Sequence, residues 1–368
     1  MNFQWIDSDA ALIEAVARCR EFDWVAIDTE FMRTDTYYPK VGLLQLGVPG
    51  HNYLIDPLSL EDPSPIRELL LSPSVLKVLH SGSEDMEVFQ RWLEIAPSPL
   101  FDTQMAAAAL GLGFGLSYQR LIEAMVGEVI PKGETRSDWL QRPLTQSQCA
   151  YAAQDVHFLV AAYPKIRDQL NEAGRLDWVL EDAKRLTQTL PTMVPVEDAY
   201  RRQKGLHHLG PRALLLAQEL FRWREQEARR RDRPRNRVLH DEQMMGLLRL
   251  PENAWTDLKQ AGFHNATIQR VGDAILAMVD KVLAVAPNAL PEPLQADRTP
   301  VDKKRYKKLQ DALADLAKGL GVPTEYIATR RDLEHVIKSN FHGEASLPAS
   351  FEGWRRECAG DVLLKALV

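Results

Sequence analysis

The sequence predicts an α/β sheet domain followed by two small all-α modules. Three observations lead there. Over the first 100 residues, short strand-like runs alternate with helix-like ones, the order expected of a sheet with packed helices. Beyond Leu190 the strand signals fade and helical patterns take over. Two proline-bearing stretches, "LPTMVPVEDAY" and "VAPNALPEPLQADRTP", read as linkers flanking the first helical module. The expected division is 1–195, 208–289 and 296–368. A length of 368 residues exceeds one ordinary core and agrees with several domains.

Taken in order, Trp24–Asp28, Val41–Val48 and Asn52–Ile55 are β-rich runs with short connections, predicting three strands. Val75–His80 predicts a fourth, "SGS" a turn, and Glu84–Glu94 a helix. "LFDTQMAAAALGLG" predicts a short strand and an Ala-rich helix, capped by Asp102 or Thr103 and ended by Gly111 and Gly113. Thr145 to about Leu186 carries an almost wholly helical pattern. Gly210 to about Val285 is helical with breaks at "RPRN" and "LPEN", and the last module is helical again.

Bulk properties narrow the setting. No apolar run approaches the ~20 residues that span a bilayer. The start, "MNFQWIDSDA", has neither the basic end nor the apolar core of a secretion signal. A cytoplasmic monomer with no membrane partner is expected. Cys19, Cys149 and Cys358 are isolated, which excludes a disulfide framework and a zinc knuckle. Net charge is −6 but unevenly spread. Residues 1–200 hold 16 Lys and Arg against 29 Asp and Glu, a net of −13; residues 201–368 hold 29 against 22, a net of +7. Acids gathered around metal ions, followed by a module that grips phosphates, would produce that asymmetry.

The acids fall in a pattern. "WVAIDTEF" ends a strand with Asp28 and Glu30, which share a face because side chains alternate along a strand. Adjacent carboxylates repel unless a proton or a cation lies between them. Asp85, in "HSGSEDMEVF", falls in the first turn of the predicted helix, where an acid also favours the helix dipole. In "YAAQDVHFLV", Tyr151 and Asp155 are four apart and lie on one flank of the stripe formed by Ala152, Val156, Leu159, Val160 and Tyr163. Four carboxylates in one cavity suit two hard divalent cations, Mg²⁺ or Mn²⁺, and such a pair clamps the attacking and leaving oxygens of a phosphodiester. Carboxylates alone would serve an endonuclease or a DNA exonuclease equally well. A non-catalytic nucleic-acid binder would be expected to lack one of these groups, and none is missing.

D-x-E at a strand end, a later Asp in "SGSEDMEVF" and Y-x-x-x-D on a helix, in that order, resemble the DEDD exonuclease superfamily and its tyrosine subgroup. "DTEFMR…YYPKVGLLQLG", "FDTQMAAAALG" and "SDWLQRPLTQSQCAYAAQDVHFL" resemble the bacterial ribonuclease D family over roughly residues 1–190. The resemblance implies a ribonuclease H-like fold with a mixed sheet. It also implies Asp28, Glu30, Asp85 and Asp155 as metal ligands and Tyr151 as the residue that orients water. The implied activity is 3′-to-5′ exoribonuclease, releasing 5′-mononucleotides from tRNA precursors and other small structured RNAs. Thr29, Phe31 and Met32 would meet the terminal nucleotide, and Lys132 or Arg136 the backbone phosphates. Asp102 reads better as a helix cap, and His80 and His157 as ordinary histidines.

Residues 201–240 hold twelve Lys and Arg against four Asp and Glu, a density that suits a polyanion. Glu225 with Arg229 and Glu227 with Arg231 have the i,i+4 spacing of intrahelical pairs. Arg230, Arg233, Arg235 and Arg237 have no such partner and are the candidates for phosphate contact; the Lys303–Lys308 run is a second. "LGPRALLLAQELFRWREQEARRRDRPRNRVLHDEQMMGLLRLPENAWTDL" resembles an HRDC domain, and residues from about 298 to 368 a divergent second copy. The resemblance makes both auxiliary nucleic-acid grips.

Overall fold

The computed structural model describes residues 2–131, 133–134, 137–188, 195–294, 302–341 and 343–367. They form two compact units: Met1–Met32, Lys40–Leu190 and Thr299–Val368 in the first, Arg33–Pro39 and Pro191–Arg298 in the second. The final helical segment is thus counted with the sheet. Among the described residues no helix is long and apolar enough to cross a membrane.

The first unit is built on a six-stranded mixed sheet ordered β1-β4-β3-β2-β5-β6. Its strands are β1 (Gln4–Ile6), β2 (Trp24–Met32), β3 (Lys40–Val48), β4 (His51–Ile55), β5 (Leu76–Leu79) and β6 (Leu100–Asp102). β2, β3 and β4 form an antiparallel meander, while β1, β5 and β6 join it in parallel. β2 runs four residues past the predicted end because Thr29, Glu30, Phe31 and Met32 still find partners on β3. β1 has no counterpart among the predicted strands: three residues give no readable alternation, and pairing with β4 defines it.

One face of the sheet is covered by α1 (Asp9–Cys19), α2 (Ser64–Leu71) and α3 (Ser83–Trp92), which bury Val25, Ile27, Leu44 and Leu46. The other takes α4 (Thr103–Ala109), α5 (Tyr118–Val126) and α6 (Gln146–Glu172). α6 starts at Thr145, whose hydroxyl accepts from the Gln148 amide while Gln148 returns a bond to Thr145, a capping box. It stops before Gly174, whose left-handed backbone divides the predicted helix into α6 and α7 (Leu176–Gln188). Gly47 lets α6 descend onto β3: a Cβ there would lie 3.0 Å from Val156 and Val160. That close approach fixes the height of α6 over the strand that faces Asp28.

The last segment supplies α12 (Lys303–Leu320), α13 (Thr324–Ile327), α14 (Arg330–Phe341) and α15 (Asp361–Lys365). It docks on α7 through Trp354, whose ring stacks on Trp178 at 4.3 Å and whose Nε1 donates to Asp182 at 3.2 Å. Arg355 forks onto the same buried carboxylate, so neither charge is stranded.

The second unit holds α8 (Pro211–Arg231), α9 (Arg235–Val238), α10 (Asp241–Arg249) and α11 (Asn265–Leu283) around Leu214, Leu220, Leu247, Trp255 and Ile275. α8 ends at Asp232, a non-glycine residue in left-handed backbone, which accepts from the amides of Tyr37 and Tyr38 at 3.0 Å each. The Tyr37 hydroxyl donates to Glu225, which also takes Arg229 and Arg235. Burial alone would raise the Glu225 carboxyl; Arg235, Tyr37 and Arg229 reverse that and hold it at about 2.

A folded value below the unfolded one means that the unfolded chain binds the extra proton as pH falls. The contribution of Glu225 is therefore complete above about pH 4.5 and lost as pH drops toward 2, a difference of at most about 3 kcal/mol. Urea unfolding at pH 5 and pH 2.5 checks this. Glu225→Gln should be less stable than the parent at pH 5 and show a shallower acid loss; equal slopes would contradict it.

Candidate active site

Asp28 and Glu30 stand on the α6 face of β2, and α6 brings Asp155 over them. Ligand oxygens of Asp28, Glu30 and Asp155 lie within 4.8 Å of one another. Asp85, in the first turn of α3, is buried and near enough to act on Asp28 and Glu30, but it is not among the residues of that 4.8 Å group, and the Thr29 hydroxyl donates to its Oδ1. Burial first, then Asp85, Asp155 and Glu30, push the Asp28 carboxyl well above the carboxylate range. Glu30 is raised by burial and by Asp155 and Asp85, and Asp85 and Asp155 by burial. Four carboxyl groups that cannot all ionise side by side are what a divalent cation resolves. The donors are all hard oxygens, which fits Mg²⁺ or Mn²⁺ rather than a thiolate or imidazole metal.

Tyr151 lies one helical turn before Asp155 on the same flank of α6, near enough for the two groups to act on each other's ionisation. Burial and the neighbouring acids raise its hydroxyl further above its ordinary value, so it stays protonated. A protonated phenol oxygen keeps lone pairs that can accept from a water. A phenol held protonated is not available as a base.

Apart from the expected Asp102 cap, a supporting shell escaped the sequence reading. Asp102 caps α4 through the Gln104 amide and also accepts from Ser81 and Gly82, both at 3.0 Å. It thereby holds the turn that launches α3 and Asp85. The Tyr118 hydroxyl donates to the Asp155 carbonyl and pins that turn of α6. Arg142 grips Asp56 with two nitrogens, at 2.6 and 2.7 Å, and donates to the Gly42 carbonyl, fixing the approach to α6. The backbone at Gly133 passes close to Tyr151, and a Cβ there would overlap two of its ring carbons. Such contacts link residues distant in sequence and leave no local pattern.

Other candidates are placed as follows. Thr29 is buried with its hydroxyl committed to Asp85. Phe31 and Met32 are half-buried. Lys132 and Arg136 lie outside the described residues. His80 bonds Thr103 and the Leu116 carbonyl, and His157 bonds Asn52; neither joins the acids. In the second unit, Arg230 forks onto Glu227 three residues back, and Arg235 packs on Glu225 and Tyr37. Neither has the i,i+4 partner that the sequence offers Arg229 and Arg231. An i,i+3 pair and a pair closed across the α8–α9 turn take its place. Arg233 and Arg237 remain over a cleft of about 360 Å³, with Arg231, Arg270, Val238 and Asp35.

Residues 3–171 match the family model for 3′-5′ exonucleases, and residues 213–279 match the HRDC domain. A mixed sheet with convergent acids at one end of β2, joined to an HRDC module, defines a nuclease of the DEDD superfamily. The full chain is 42% identical over 372 residues to ribonuclease D of Pseudomonas paraeruginosa, covering 100% of this chain and 98% of that one. It is 35% identical to ribonuclease D of Escherichia coli, covering 99% and 98%. The crystal structure of the Escherichia coli enzyme, an exoribonuclease involved in structured RNA processing, superposes with a TM-score of 0.91 at 34% identity over 100% of this chain and 99% of that one. The chain belongs to the ribonuclease D family of 3′-to-5′ exoribonucleases.

Gly133→Ala should displace Tyr151 without disturbing the core. A misplacement of that size lowers turnover by roughly tenfold to a hundredfold, measured as the rate of 3′ trimming, with melting temperature unchanged. Parent-like turnover would show that the Tyr151 ring accommodates the methyl.

Proposed function

We propose that Asp28, Glu30, Asp85 and Asp155 hold two divalent cations, Mg²⁺ or Mn²⁺, and that Tyr151 orients the attacking water. The observation that carries this reading is the convergence of Asp28, Glu30 and Asp155 within 4.8 Å. When bound, the cations supply Lewis-acid stabilisation of the charge that builds on the phosphorus and the departing oxygen. The chain's own groups do the rest. The Tyr151 oxygen accepts from the water and aims it. Thr29 fixes Asp85, and Phe31 and Met32 lie at the end of β2, where a terminal nucleotide would rest. The products are 5′-mononucleotides, and the substrates are the 3′ ends of tRNA precursors and other small structured RNAs. The protein acts as a cytoplasmic monomer, with 1–195 as exonuclease domain, 208–289 as HRDC domain and 296–368 as a divergent HRDC-like domain.

Incubation of a 3′-extended tRNA with Mg²⁺ tests the assignment. The parent should trim in single-nucleotide steps. Asp28→Asn should be almost inactive, and Tyr151→Phe should lose about 10² to 10³ in turnover while still taking up Mg²⁺. Equal trimming by parent and Asp28→Asn would remove Asp28 from the mechanism. Preference for a DNA strand of the same sequence would overturn the substrate.

In the second unit the cleft under Arg233 and Arg237 is the proposed phosphate grip. Arg270 donates to the Arg237 and Val238 carbonyls at 3.0 and 2.9 Å, which steadies the cleft wall. Asp35 is the one acid in its lining and stands 3.9 Å from Arg237. Replacing Arg233 and Arg237 with Gln should weaken RNA binding at low salt and reduce the slope of log affinity against log salt by roughly 1 to 2. An unchanged slope would place the phosphates elsewhere.

A further inference from the structure

Gln45 is fully buried in the middle of β3, and neither its amide nitrogen nor its carbonyl oxygen has a hydrogen-bond partner. Among the described residues it is the one side chain with two such atoms. Its place is specific. Gln45 is the direct antiparallel partner of Asp28, and opposite residues share a face with Cβ atoms about 4.5–5.5 Å apart. That face is the one covered by α6. On one side of Gln45, Leu43 and Leu54 pack on Ala152 and Ala153; on the other, Gly47 meets Val156. The Gln45 side chain therefore lies beside Asp28 in the layer between the sheet and α6.

A buried amide left unpaired destabilises the fold, whereas Met or Leu would fill the same space without that cost. Stability does not explain a glutamine here. A carboxamide offers two N–H donors, and the ionised partner beside it is an acceptor with no donor of its own. We propose that Gln45 is a positioning residue for the exonuclease reaction: its unpaired Nε2 is the donor that the Asp28 carboxylate takes up once a cation ionises it, setting its orientation as a cation ligand. The inference rests on the reading of Asp28 as a ligand. Residues that orient a ligand in this way act through it and do not touch the substrate.

The test uses the full chain and three readouts: melting temperature, Mg²⁺ affinity by titration calorimetry, and trimming kinetics on a 3′-extended RNA. Gln45→Met should melt at the parent's temperature or above it, bind Mg²⁺ about tenfold more weakly, and lose at least about tenfold in kcat with KM within about twofold. Gln45→Leu covers the case in which Met is not tolerated, and Gln45→Glu, which keeps the shape and loses the donors, should fail in the same way. Parent-like Mg²⁺ affinity and kcat in Gln45→Met would overturn the proposal. So would parent-like turnover in Gln45→Glu, or loss of the fold in both apolar variants, which would make the amide structural. Asp28→Asn separates the two readings. If it still binds Mg²⁺ as the parent does, the ligand assignment fails; if it loses Mg²⁺ and Gln45→Met does not, Gln45 alone is removed.

Discussion

The first unit is organised around an electrostatic conflict. Asp28, Glu30, Asp85 and Asp155 are desolvated beside one another, and each one's ionisation opposes that of its neighbours. In water at the same spacing the repulsion would be modest; burial makes it severe. A fold that keeps such a cluster has traded stability for a place where hard cations are strongly favoured. The surrounding scaffold can be understood as what prevents the acids from relaxing apart.

That scaffold acts through backbone and hydrogen bonds more than through charge. β2 carries two acids on one face and is held on both sides, by β3 in antiparallel and β5 in parallel register. Gly47 sets the height of α6, Tyr118 ties its turn at the Asp155 carbonyl, and Asp102 gathers the amides ahead of α3. None of these groups needs to touch a substrate. Each removes one way in which a carboxylate could swing out of the cluster.

The basic half follows a different logic. Much of its charge is internally neutralised: Glu225 takes Arg229 and Arg235, and Glu227 takes Arg230 and Arg231. Charge density in the sequence therefore overstates what is available to a polyanion. Beside these pairs lies a small cleft whose arginines face a single acid.

The places of the four acids and Tyr151 in their elements were legible in the sequence because each sits in a local pattern: alternation along a strand, the first turn of a helix, or i,i+4 spacing. The order of the elements, and with it the α/β fold and the helical second half, was legible for the same reason, since periodicity is a local property. β1 was not, because three residues hold no period, and the end of α6 needed the left-handed backbone of Gly174. Tertiary structure alone decided which arginines are spent on carboxylates, that Thr29 points to Asp85, and that Gln45 lies buried and unpaired opposite Asp28. Those facts depend on strand register and on contacts between residues tens of positions apart, and a linear pattern records neither.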